Sequence, residues 1–292
     1  MGMPTDIGVI DLMLGIPEGS KQDWYGFLRS GLLDKESKDE FEFPAQYMFK
    51  EVPKDLDPNV DPVKAVLEEM DHFGIERAQV GVSFERSRGI EAVRAHPDRF
   101  FASYEVNPNT GMDGVRKLQR AVEELGVKAA SAFPAGMTPQ VPINDKKFFP
   151  LYAKCVELDI PIQVCTGVPG PRVPMACQKT ELIDEVCWFF PELKFVMRHG
   201  AEPWDALAVK LMLKWPNLFY STSAFAPRYY PQTIIDYANS RGADKIMYAG
   251  YFPMGLSLER IFGEMPNVGF KDDVWPRFLR ENAVRVYKLD ES

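Results

Sequence analysis

The chain has 292 residues, 46% hydrophobic and 26% charged, with a formal net charge of −8. That is the balance of a globular protein with a full core, and the excess of acid excludes a nucleic-acid footprint or attachment to an anionic membrane surface. No apolar run approaches the ~20 residues of a membrane span, which excludes a helical membrane protein.

The N-terminus, Met1-Gly2-Met3-Pro4-Thr5-Asp6, has neither the basic nor the apolar segment of a secretory signal. Short apolar runs then alternate with amphipathic stretches, the pattern of βα units around a parallel sheet. The first strand is expected over 7–12. Roughly residues 15–60 follow as an insertion rich in charge, proline and aromatics, among them Trp24, Tyr25 and Phe27. Disordered segments are aromatic-poor, so this one is expected to be an ordered cap. Helical periodicity runs through 62–73, with Val66, Leu67 and Met70 on one face. Further strands are expected at 77–82, 101–106, 127–133, 161–165, 194–198, 218–221 and 245–249. The helices between them fall at 89–96, 111–125, 145–158, 180–190, 203–213 and 231–240, and two more, around 256–264 and 272–287, close the chain.

Eight strands, each followed by helix, give the count of a (β/α)8 TIM barrel, a single α/β domain over 1–292 with a cap insertion after strand 1. No Gly-rich phosphate turn follows the first strand, as an open doubly wound sheet would often show. No nucleophile elbow or P-loop follows any other. The cysteines, Cys155, Cys165, Cys177 and Cys187, have no C-x-x-C spacing, so free thiols in a reducing cytoplasm are expected.

Three turns after strands carry a family resemblance. Cys165-Thr166-Gly167 is similar to the His-Thr-Gly turn of the amidohydrolase superfamily. His199-Gly200, followed by Pro203-Trp204, resembles its His-Gly turn, and Ala249-Gly250-Tyr251-Phe252-Pro253 resembles its Gly-Ser-Asp-Tyr-Pro segment. Within the superfamily the chain is most similar to the amidohydrolase-related branch, which includes aminocarboxymuconate-semialdehyde decarboxylase and the dihydroxybenzoate decarboxylases. The resemblance implies a small cyclic or aromatic carboxylate or carbonyl substrate, and hydrolysis or C–C cleavage as the reaction. It also implies a homodimer, with the aromatic insertion as one candidate interface.

Members of the branch usually hold one divalent metal at the barrel mouth. Here Met13 and Gly15 stand where the two histidines after strand 1 would be, Cys165 replaces the histidine after strand 5, and Tyr251 replaces the aspartate after strand 8. Only His199 keeps its family identity. Zinc or manganese needs several N, O or S donors converging at about 2.0–2.3 Å. Glycine offers no side-chain donor, a thioether is a poor one, and a phenol must first lose a proton of pKa near 10. The expectation is therefore no metal and no cofactor.

His199, at the end of strand 6, is the natural proton carrier. Asp11 and Tyr251 are the other catalytic candidates, one as a base or positioning carboxylate, the other as an oxyanion donor or a filler of the metal's space. Arg198 and Arg172 are candidate carboxylate clamps, because the guanidinium fork accepts both oxygens at once. Cys165 lines the expected site, either as a thiol activated by His199 or as a small buried residue. Trp24 would shield the substrate from water. Ser83, Glu85, Glu105, Asn107, Ser221 and Ser223 lie near strand ends, with their parity open. Two other readings stand beside a metal-independent enzyme. One is an inactive homologue that binds a ligand or partner. The other is a metal hydrolase with rearranged ligands, drawn from Asp11, Glu105, Cys165 and His199.

Overall fold

The computed structural model describes residues 2–290 apart from positions 50, 58 and 86. Eight parallel strands follow one another around a curled sheet in chain order: β1 (Val9–Asp11), β2 (Ile75–Val82), β3 (Phe100–Glu105), β4 (Ala129–Ala132), β5 (Ile162–Cys165), β6 (Phe195–Arg198), β7 (Leu218–Ser221) and β8 (Ile246–Met247). The helices are α1 (Lys21–Trp24), α2 (Pro62–His72), α3 (Ser87–Ala95), α4 (Met112–Leu125), α5 (Phe149–Glu157), α6 (Ile183–Phe189), α7 (Asp205–Lys214), α8 (Gln232–Ala238), α9 (Leu258–Glu264) and α10 (Asn282–Tyr287). This is the (β/α)8 architecture.

Local chemistry sets the element ends. Asp61 caps α2 by accepting from the amides of Val63 and Lys64, and Pro62 occupies the first turn, where no amide is needed. Helix α4 buries Val115, Leu118 and Ala121 on one face and stops at Gly126, whose left-handed φ of 64° ends it without a Cβ penalty. The last strand is shorter than the sequence suggests. The Ala249 amide donates to Thr222 Oγ1 and the Gly250 amide to Asp11 Oδ1, so side chains take the places a neighbouring strand would fill. Between β8 and β1 the Leu12 amide reaches the Tyr248 carbonyl at 3.4 Å.

Strand parity decides what faces the barrel interior. Ile10, Leu12, Phe101, Ala129, Val196, Phe219 and Met247 form an apolar cluster there with Ala283, Val286, Tyr287 and Leu289 from the C-terminal segment. Two residues further along the same face come Ser103, Ser131 and Arg198, all buried. The interior therefore turns from apolar to polar toward the C-terminal ends of the strands. A second, larger core lies between the sheet and the surrounding helices, with Val80, Phe100, Ile162 and Phe195 on the strands against Met70, Leu118, Tyr152 and Met212.

The β1–α2 segment begins with a capping box at Ser20 and Asp23 that starts α1. Lys21 holds Asp55 at 2.8 Å, tying the two ends of the segment together. Among the described residues no helix is long and apolar enough to cross a membrane.

Candidate active site

A cavity of about 1000 Å³ opens at the C-terminal ends of the strands, where βα turns place the active sites of this fold. Its inner wall is polar, with Gln79 from β2, Ser103 and Glu105 from β3, Ser131 from β4, Cys165 from β5, and Arg198 and His199 from β6. Trp24, Tyr25, Phe27, Leu28, Phe43, Met48 and Phe49, all from the segment expected to cap the mouth, line its outer part.

Arg198 is the centre of the polar wall. It is 9% exposed, its Nε donates to Cys165 Sγ at 3.2 Å, and its Nη1 lies 3.4 Å from Glu105 Oε2. Glu105 also accepts from Ser131 Oγ at 3.0 Å. Burial disfavours the guanidinium charge, but the Cys165 sulfur and the Glu105 carboxylate more than offset that and hold it protonated. The Cys165 thiol is pushed up to about 11 by burial, against the pull of Arg198. It is thus a neutral acceptor beside an arginine, and the thiolate paired with His199 does not form.

His199 has a left-handed φ of 65°, a conformation non-glycine residues adopt rarely and mostly where surrounding structure demands it. Ser223 holds it there: the His199 amide donates to Ser223 Oγ at 3.0 Å, and the same Oγ lies 3.0 Å from Nδ1. With Oγ accepting from the amide, its own proton is free to go to Nδ1. The proton of the neutral ring is assigned to Nε2 on that ground. Desolvation of the half-buried ring and the Arg198 charge push the imidazolium pKa down to about 3, so the ring is neutral near physiological pH. Tyr251 packs edge-on against it, with ring centroids 5.5 Å apart.

The Tyr251 hydroxyl meets that of Tyr25 at 3.2 Å, and burial raises its pKa. This contact brings the β8 turn and the β1–α2 segment together. Gly15 is packed beneath the same segment: a Cβ there would meet Trp24 Cη2 at 2.4 Å and Met254 Sδ at 2.8 Å. The indole thus fills the space a larger residue at position 15 would require.

Two candidates lie outside the cavity wall. Asp11 is fully buried, and its Oδ1 accepts from the amides of Met13 and Gly250, both at 2.8 Å. It ties the end of β1 to the β8 turn and faces away from the cavity, because a short strand-end carboxylate satisfies adjacent turn amides before it can reach a ligand. Arg172 pairs with Asp34 and Glu36 at 2.8 and 2.7 Å and lies over the rings of Phe41 and Tyr47. It fastens the β1–α2 segment to the β5 loop instead of projecting over the mouth. Ser83, Glu85 and Asn107 line the cavity with Glu105, whereas Ser221 donates to the Met197 carbonyl.

Sequence reading missed the floor. Gln79 and Gln163 exchange amide hydrogen bonds at 2.8 and 3.2 Å, and Gln163 also donates to the Tyr287 hydroxyl. Glutamines inside otherwise apolar strands were the available signal. The metal-ligand positions can now be judged on geometry. Among the described residues no three His, Cys, Asp or Glu side chains converge as a cation would need. Position 15 has no room for a donor, the Cys165 sulfur is engaged by a cation, and Asp11 is turned into the backbone. The residues present do not fit the metal that the resemblance implied.

An amidohydrolase family model matches residues 28–289. No curated protein matches the chain in sequence. Among solved structures, an uncharacterised TIM-barrel protein from Bordetella bronchiseptica is similar at 22% identity and a TM-score of 0.74, covering 98% of this chain and 100% of its own. 5-Carboxyvanillate decarboxylase from Novosphingobium aromaticivorans, with bound manganese and 3-methoxy-4-hydroxy-5-nitrobenzoic acid, is similar at 18% identity and a TM-score of 0.70, covering 97% of each chain. 2,6-Dihydroxybenzoate decarboxylase from Rhizobium shares 18% identity at a TM-score of 0.65, covering 97% of this chain and 99% of its own.

Proposed function

This chain belongs to the amidohydrolase family, and from that premise we propose that it is a metal-independent decarboxylase of a small-molecule cyclic or aromatic carboxylate. The observation that carries the reading is the buried Arg198, a fixed cation on the cavity wall bonded to Cys165, where the resemblance would place a metal-binding histidine. With Nε on Cys165 and Nη1 on Glu105, the Nη2 end of the guanidinium is the part that would meet a carboxylate, and such charge-assisted bonds are the strong ones in a site shielded from water.

The choice of reaction follows from what the wall can do. Hydrolysis needs an activated water. The neutral His199, with its conjugate acid near 3, is too weak a base for that, and Cys165 stays a thiol. Decarboxylation asks for less. The C–C bonding pair stays on the ring carbon, that carbon takes up one proton from the Tyr251 hydroxyl, which regains one from water after product leaves, and CO2 departs. Arg198 would anchor and orient the carboxylate. His199, fixed by Ser223, would stand at the proton-transfer position, with the Tyr251 hydroxyl next to it. An anion docked on Arg198 would cancel one of the two causes that hold His199 neutral, and so make the imidazole a better proton carrier when substrate is present. The aromatic segment over the mouth would exclude water. Structural neighbours that are decarboxylases support the reaction class, and the manganese bound in one of them sets the alternative that the test below must exclude.

The test is a panel of aromatic and cyclic carboxylates incubated with chelator-treated protein, with CO2 release and ring spectra followed. Turnover that survives chelation and disappears in Arg198→Ala is expected. Turnover that requires added manganese or zinc would overturn the metal-independent assignment. Binding without turnover of any panel member would make the chain a carboxylate-binding homologue instead.

A further inference from the structure

The cavity is larger than a single-ring acid requires. At about 1000 Å³ it lies at the top of the range over which drug-sized ligands bury most of their surface. Arg198, Glu105 and Ser131 form one hydrogen-bonded group on its wall. Beside this polar wall lies a continuous run of rings: Trp24 to Tyr25, Tyr25 to Phe43, Phe43 to Phe49 and Phe49 to Tyr251, with centroids 5.6–6.5 Å apart.

A second, independent observation comes from the rim. Phe27 is 55% exposed, Met48 56% and Val168 52%, and all three line this same cavity. Single exposed apolar residues are ordinary. Several gathered on one cavity mouth mark a surface that an apolar ligand covers.

We propose that the substrate is a two-part molecule, with a carboxylate at Arg198 and an apolar body larger than one ring (fused rings, or a ring bearing a second ring or alkyl chain) held between the aromatic run and the Phe27–Met48–Val168 rim. This rests on the assignment of Arg198 as the anion anchor. The apolar body would bury the three rim residues and supply binding energy remote from the reacting carbon, which orients the acid on the polar wall.

The experiment is calorimetric titration of the full chain with benzoate, biphenyl-4-carboxylate and the neutral biphenyl-4-carboxamide, repeated in Phe27→Asp and Arg198→Ala. Biphenyl-4-carboxylate is expected to bind at least tenfold tighter than benzoate. That ratio should fall below threefold in Phe27→Asp, a substitution at a half-exposed site that the fold tolerates. If benzoate binds and the second ring gains less than twofold, or if the gain persists in Phe27→Asp, the two-part substrate is overturned while the Arg198 anchor stands. If carboxylate and carboxamide bind alike and Arg198→Ala changes neither, the anchor and the decarboxylase reading fall with it.

Discussion

Asp11→Asn should stabilise this protein at neutral pH, although Asp11 is among its most deeply buried polar residues. Burial pushes the Asp11 carboxyl from its ordinary 3.8 up to about 6, against the pull of the Gly250 and Met13 amides. The folded state therefore holds a proton there that the unfolded chain releases. The associated stability is fully present below pH 3.8 and is lost as pH rises through about 6. By proton linkage that loss is roughly 3 kcal/mol at neutral pH. Asparagine keeps the Oδ1 acceptor for both amides. Its Nδ2 takes the place of Oδ2, which lies with the Tyr248 hydroxyl against Gly250, neither making a hydrogen bond of ordinary geometry. Urea unfolding followed by circular dichroism should put the variant within about 1 kcal/mol of wild type at pH 4.5 and roughly 2–3 kcal/mol above it at pH 7.5. Comparing the two proteins cancels the opposing contribution of His199. A variant less stable than wild type at pH 7.5 would mean that the amides hold Asp11 as a favourable anion, and the burial argument would fail.

Other outcomes follow from the same geometry. Arg198→Ala should weaken carboxylate binding about 10- to 100-fold, the worth of a charge-assisted pair, and Arg198→Lys should recover only part of it because the fork is lost; equal affinity in all three proteins would place the anion elsewhere. Gly15→Ala should cost about 1–3 kcal/mol through overpacking against Trp24 and Met254, and Trp24→Leu in the same chain should return at least half of it in a double-mutant cycle. The His199 pKa lies below that of the unfolded chain, so its contribution to stability is lost as pH falls from 6.5 toward 3; an imidazole NMR titration should find the free protein's ring neutral at pH 6, and a midpoint above 6 would refute its desolvation. Elemental analysis of the purified protein should find less than 0.1 zinc or manganese per chain, a site of this donor chemistry having no hold on either.

The barrel was legible because alternation of strand and helix is written in local composition. All eight strands fall within two residues of their expected ends, and β8 is short because Asp11 and Thr222 intercept the amides that follow it. The site was legible only where one residue type implies its surroundings. His199 and Arg198 follow a strand end and had to line a barrel mouth. Arg172 and Asp11 also sit at strand exits, yet Arg172 found two acids at positions 34 and 36, and Asp11 found two amides. The Cys165–His199 pairing failed because Arg198, one residue nearer on the interior face, reached the sulfur first.

By itself the amino-acid order determined the architecture and the family, both of which depend on periodicity and side-chain identity. Tertiary structure alone decided that an indole from residue 24 fills the space above Gly15, that a buried guanidinium rests on the Cys165 sulfur, and that exposed Phe27, Met48 and Val168 gather on one cavity. Those are contacts between segments distant in the chain, and their charge states depend on burial that no local pattern encodes.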